Sequence, residues 1–118
     1  MKVVTIYGIK NCNTVKKALQ WLDDHKIEYL FHDFKRSGIS EDRIKIWQKR
    51  FGWESLVNKK GTTWRNLTAA QQALVTDATS ARELMIEKTS VIKRPVLEQG
   101  TKILLGFDAD AYKELLIP

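Results

Sequence analysis

The sequence predicts an α/β fold in the order βαβ, an all-helical insertion, then ββα. Three observations carry this reading. First, the chain opens strand–helix–strand. Residues 3–7 are a β-branched and aromatic run, and Val15, Ala18, Leu19 and Leu22 recur at i, i+3, i+4 and i+7. Residues 27–34 are again strongly apolar. Second, the chain closes with a proline-started strand, a Gln99-Gly100 turn, a further strand and an amphipathic helix. Third, the stretch from about 38 to 90 shows helical periodicity and turn signals. With that insertion set aside, βαβ…ββα is the order of the thioredoxin-like fold.

Each element has its own grounds. The first strand covers about residues 3–7 and the first helix about 14–25. That crossover is long enough for parallel pairing, with the right-handed sense expected. The second strand, 27–34, gives way to a turn at Ser37-Gly38. Ser40 with Glu41 and Asp42 caps a helix whose stripe is Ile44, Trp47 and Phe51 and whose end is Gly52. Residues 53–57 form another short helical candidate, and 58–65 read as a loop rich in cations and hydroxyls. Two capping boxes follow, Thr68 with Gln71 and Ser80 with Glu83. The approach to the third strand, 91–98, is interrupted by Pro95, which has no N–H and must start the strand or lie at its edge. Residues 102–106 make the last strand. Asp108 caps the last helix, with Ala111, Tyr112 and Leu115 turned inward. No repeat, low-complexity segment or linker interrupts the chain, so residues 1–118 are expected to be a single domain.

The lone cysteine lies where the first strand pattern hands over to the first helix. Cys12 is placed in that turn, or in the first helical turn if Asn11 is the cap. Unpaired N–H groups and the positive end of the helix dipole favour an anion there. A thiolate is such an anion, so the thiol pKa is expected below the free value of about 8.5. Lys10, Lys16 and Lys17 add positive charge. A free cysteine also packs as a small hydrophobe. The polar neighbours Lys10, Asn11 and Asn13 argue against burial.

Composition narrows the function classes. A single cysteine excludes an internal disulfide and points to a reducing compartment, the cytoplasm. The apolar run at the start is too short for a secretory leader, and no run reaches the ~18 apolar residues of a membrane span. The net charge of +6 invites a nucleic-acid partner. Its cations are scattered in short clusters without a zinc-ligand set or RNA-binding signature, and a small anionic substrate explains them as well. His25 and His32 show no ligand or triad spacing, and no metal is expected. The four tryptophans read as core residues.

Three segments together resemble the ArsC/Spx family, most closely its small single-cysteine YffB branch. They are residues 11–18, the Trp64-Arg65 segment from 58 to 65, and Ile92-Lys93-Arg94-Pro95-Val96. The resemblance runs through essentially the whole chain in the expected order. It implies a thioredoxin-like fold and a glutathione-dependent thiol oxidoreductase. On that reading the catalytic residues are Cys12 and Arg94, and an anion or glutathione site is formed by Lys10, Asn11, Arg65, Arg94 and Pro95. Arg94-Pro95 matches the family's Arg-Pro motif, with a cis bond facing the thiol, and Arg65 matches an earlier oxyanion-binding arginine. No bound cofactor is implied. Glutathione is the co-substrate, and the partners are glutathione or glutaredoxin with a small anionic or thiol substrate.

Two further readings follow from the same family. The arsenate reductases carry a histidine four residues before the cysteine, where this chain has Gly8. Their third arginine, after the Arg-Pro motif, is replaced by Lys102 or by nothing, and lysine lacks the bidentate fork of arginine. The Spx regulators bind RNA polymerase and carry Cys-x-x-Cys, where Val15 takes the second position. A disulfide switch is thereby excluded, while polymerase binding without one stays open.

Residue by residue, the competing roles are these. Cys12 attacks a sulfur or oxyanion centre, and an external thiol resolves the adduct. Arg94 binds an anion or makes a surface salt bridge. Arg65 does the same or packs on Trp64. Lys10 lowers the thiol pKa or is a solvated loop lysine. Asn11 and Thr14 hydrogen-bond the thiolate or cap the helix, and capping is the better founded.

Overall fold

The computed structural model describes residues 3–118. The chain divides into two compact units. One is made of the chain up to Phe34 and from Arg94 to Pro118, and the other is Lys35–Lys93.

The first unit holds a four-stranded sheet in the order β2-β1-β3-β4. Its strands are β1 (Val4–Gly8), β2 (Tyr29–Asp33), β3 (Val96–Gln99) and β4 (Lys102–Leu105), with helices α1 (Asn13–Asp24) and, last in the chain, α8 (Ala109–Leu116). β2 runs parallel to β1 from Val4↔Tyr29 to Gly8↔Asp33. β3 runs antiparallel on the other side, with Tyr7 opposite Val96, and β4 is antiparallel to β3. This is the thioredoxin-like arrangement.

One core orders the unit. Val4 and Ile6 of β1 and Leu97 of β3 meet Ala18 and Leu22 of α1 and Tyr112 of α8. Each fully buried valine, leucine or isoleucine side chain there contributes about 1.5–3 kcal/mol of transfer free energy. The α1 stripe read from the sequence is the buried one at Val15, Ala18 and Leu22.

The ends of these elements moved relative to expectation, for local reasons. The second strand starts at Tyr29 rather than Ile27, because Ile27 completes the stop of α1. Its N–H donates to Leu22 O at 2.9 Å, the Lys26 N–H donates to Asp23 O, and Lys26 sits at φ 57°. That is a Schellman ending with lysine in the left-handed position usually held by glycine. Phe34 leaves the strand to open a single helical turn, α2 (Phe34–Ser37). The approach to β3 is a 3-10 turn over Thr89–Val91, and strand pairing begins only after Pro95.

Tyr112 is 0% exposed, with Trp21 and Phe107 edge-on to its ring at 5.6 and 4.9 Å. Its hydroxyl has no hydrogen-bond partner among the described residues, and burial pushes its pKa up. A buried, unsatisfied hydroxyl is destabilising. Tyr112→Phe should therefore keep the ring packing and raise stability by about 1 kcal/mol, read as a higher urea midpoint with an unchanged slope. A lower midpoint would mean the hydroxyl has a partner.

The described elements of the second unit are all helical, apart from an isolated antiparallel bridge between Val57 and Ile92. They are α3 (Glu41–Phe51), α4 (Trp53–Leu56), α5 (Thr62–Arg65), α6 (Ala69–Ala73), α7 (Ala78–Glu87) and the 3-10 turn. Ser40 caps α3, which stops at Gly52 with φ 83° and ψ 153°, a conformation open to glycine. Gln48 ties α3 to α7. Its amide donates to Ala78 O at 2.8 Å and accepts from Arg82 Nη1 at 2.9 Å.

Two readings of this region are corrected. The 58–65 segment is not all loop: α5 forms a turn with Arg65 N–H donating to Gly61 O and Asn66 N–H to Thr62 O. The cap of α7 is Asp77, not Ser80. Ser80 is the third helical residue of that capping box and donates its N–H to Asp77 Oδ1 at 2.8 Å, while Asp77 N–H donates to Ser80 Oγ at 3.1 Å. The Thr68–Gln71 box opens α6 as expected. Of the four tryptophans, Trp47 is fully buried, and Trp21, Trp53 and Trp64 are half-buried.

Candidate active site

Cys12 is itself the cap of α1, with extended φ and ψ of −129° and 123°. This corrects the expectation that Asn11 or Thr14 caps the helix: no side chain caps α1, and both residues are exposed. The Cys12 carbonyl accepts the first helical bond, from Lys16 N–H at 2.9 Å. Its side chain thus stands where a serine or aspartate would receive the free N–H groups of the first turn. The thiol is half-buried.

Several influences act on that sulfur. Partial burial is the largest and pushes the thiol pKa up. Against it act the Val15 N–H, the charge of Arg94, a hydrogen bond from the Arg94 side chain, and the Thr14 N–H. Together they outweigh burial and pull the pKa below the ordinary thiol value. A partly exposed thiolate stabilised in this way is the reactive form of cysteine.

Strand order brings Arg94 to the thiol from the far end of the chain. β3 is antiparallel to β1, so its start lies beside the end of β1, from which the chain turns into Cys12. The Arg94-Pro95 bond is cis, as the sequence suggested. Pro95 is buried, and its carbonyl accepts from Gly106 N–H at 2.8 Å, fixing the start of the β3–β4 hairpin.

The other named residues are placed as follows. Lys10 is exposed, and the cation that acts on the sulfur is Arg94. Arg65 closes α5 in the second unit and is exposed, and the cation over Trp64 is Lys59, at 5.5 Å from the ring centroid. Lys102 lies at the turn end of the β3–β4 hairpin. It pairs with Gln99 there, about 10 Å along the strand from the Pro95 end.

The free N–H groups expected from the sequence at this helix start are those of Thr14 and Val15; Val15 was not named as a donor, because an N–H has no side-chain signature. His25 stacks on Trp21 with ring centroids 3.9 Å apart, and His32 lies 4.9 Å from Tyr7. Among the described residues no group of three or more His, Cys, Asp or Glu could hold a metal ion. Nor is any described helix long and apolar enough to cross a membrane.

Comparison with known proteins gives a consistent result. The ArsC family pattern matches residues 7–115. An uncharacterized protein of Haemophilus influenzae is 45% identical over 111 residues, covering 94% of this chain and 96% of its own. The solved structure of a protein named YFFB is 47% identical with a TM-score of 0.92, covering 97% of this chain and 99% of its own. The solution structure of an arsenate reductase (ArsC) related protein from Brucella melitensis is 46% identical with a TM-score of 0.74, covering 98% and 96%. With strand order, thiol position and these similarities in agreement, the chain belongs to the ArsC family.

Proposed function

We propose that this protein is a glutathione-dependent thiol oxidoreductase of a reducing compartment, with Cys12 as nucleophile and Arg94 as the anion-binding residue. The observation that supports this reading is the half-buried sulfur at the cap of α1, whose pKa two backbone N–H groups and one guanidinium pull below the ordinary thiol value against the effect of burial. The Cys12 thiolate attacks the glutathione sulfur of a mixed disulfide. A Cys12–glutathione disulfide forms, and the substrate leaves as its thiolate, taking a proton from water. A glutathione thiolate then attacks that disulfide, oxidised glutathione departs, and Cys12 is a thiolate again. With one cysteine in the chain, the second thiol has to be external. The Lys10–Asn11 loop lies beside the sulfur in sequence and would border the bound tripeptide. Arg65, exposed at the end of α5, is the further cation proposed for the anion site.

The ArsC relationship also admits arsenate as the oxidant. Gly8, where the arsenate reductases carry a histidine, and Lys102, at the turn end of its hairpin, speak against it. Turnover of a glutathione–hydroxyethyl mixed disulfide, coupled to glutathione reductase, tests the proposal. Rates should depend on glutathione and exceed those with arsenate, glutathione and glutaredoxin. Arsenate turnover alone would reverse the assignment. No turnover of either, with capture of RNA polymerase, would make the protein a regulator.

A further inference from the structure

Gly8 ends β1 and is buried, four residues before the thiol. A Cβ built there would lie 2.7 Å from Val15 Cγ2 and 3.3 Å from Val15 Cγ1. The first distance is shorter than real carbon contacts allow, so one partner would have to move by several tenths of an ångström. Val15 cannot simply rotate away. It is 0% exposed, and a β-branched residue in a helix has one strongly preferred χ1 rotamer. Gly8 is held in turn by its parallel register with Asp33. The part left to give is the first turn of α1.

That turn carries the Thr14 and Val15 N–H groups that bond the Cys12 sulfur. Hydrogen bonds weaken steeply with misalignment. We propose that Gly8 is a positioning residue for the Cys12 thiolate: its missing side chain admits Val15 against the end of β1, and so seats the Val15 N–H on the sulfur. Gly8 never touches the reacting atoms and acts only through Val15. The inference rests on the thiolate reading given above and adds a residue to it.

The test is a mutant cycle on the full-length reduced protein: wild type, Gly8→Ala, Val15→Ala and Gly8→Ala/Val15→Ala. The readouts are thiolate absorbance near 240 nm and alkylation rate by iodoacetamide across pH 5–10. Gly8→Ala should titrate above wild type, with alkylation at neutral pH slower by about threefold to tenfold, the range one hydrogen bond commands. In the Val15→Ala background, the same change at position 8 should move neither readout. Should Gly8→Ala fail to fold, a double variant that folds and titrates with Val15→Ala gives the same support. The proposal is overturned if Gly8→Ala titrates with wild type, if position 8 has the same effect in both backgrounds, or if the double variant also fails to fold. A wild-type thiol titrating at the ordinary value would instead sink the thiolate reading itself.

Discussion

Cys12→Ser should take up no glutathione from oxidised glutathione, while the reduced wild-type chain gains one by intact mass. It should also lose mixed-disulfide turnover completely. The chain has no second thiol to attack or resolve, and a serine hydroxyl is a weak nucleophile at its free pKa. Stability should move the other way. Position 12 is the cap of α1, where serine is among the preferred residues and its oxygen accepts the N–H groups of the second and third helical residues. Those are Thr14 and Val15, the donors that now serve the sulfur. At pH values where the thiol is protonated, the serine variant should be more stable by about 1 kcal/mol, a gain of a few degrees in Tm. A gain in stability with total loss of function separates a reactive thiol from a structural one. Retained glutathione uptake would place the chemistry elsewhere.

Arg94→Ala should raise the Cys12 pKa and slow alkylation below it. A hydrogen bond to a charged group contributes about 1.5–3 kcal/mol, and exposure reduces this toward 1, roughly fivefold in thiolate fraction. Arg94→Lys should restore part of the effect, keeping the charge without the fork. The same coupling appears in stability. Because the thiol pKa is lowered on folding, the thiolate's contribution is present above the unfolded value of about 8.5 and is lost as pH falls through the folded value. Measured under reducing conditions, wild type should therefore gain on Cys12→Ser as pH rises through that window, and the gain should shrink in Arg94→Ala. An Arg94→Ala titration superimposing on wild type would remove the guanidinium from the site.

Much of this was legible in the residues, and the misses have physical causes. β1, α1, β3, β4 and α8 carry clear periodicity or punctuation, and one proline followed by a strand placed Arg94. The late start of β2 was hidden because a lysine, not a glycine, takes the left-handed turn that ends α1 and uses Ile27. The start of α7 was ambiguous in kind: Asp77-x-x-Ser80 and Ser80-x-x-Glu83 both satisfy a capping signature, and only the reciprocal bonds decide. α5 consists of polar and aromatic residues without a buried stripe, so periodicity had nothing to register. At the site, Arg94 was named from its place before Pro95, while Lys10 read equally well as a solvated loop lysine. Strand pairing brings that arginine to the sulfur from more than eighty residues away.

That separation also sets an order of manufacture. β1 finds β2 soon after leaving the ribosome, but its other neighbour, β3, comes much later; Tyr7 and its partner Glu98 are 91 residues apart. Synthesis runs from the N-terminus, and long-range pairings close last. A nascent chain therefore exposes Cys12 with helix N–H groups beneath it and no guanidinium beside it, along an unfilled sheet edge. The Cys12 thiol gains its side-chain partner only when Arg94 and the strand behind it have been made, so truncated products should carry a thiol of higher pKa.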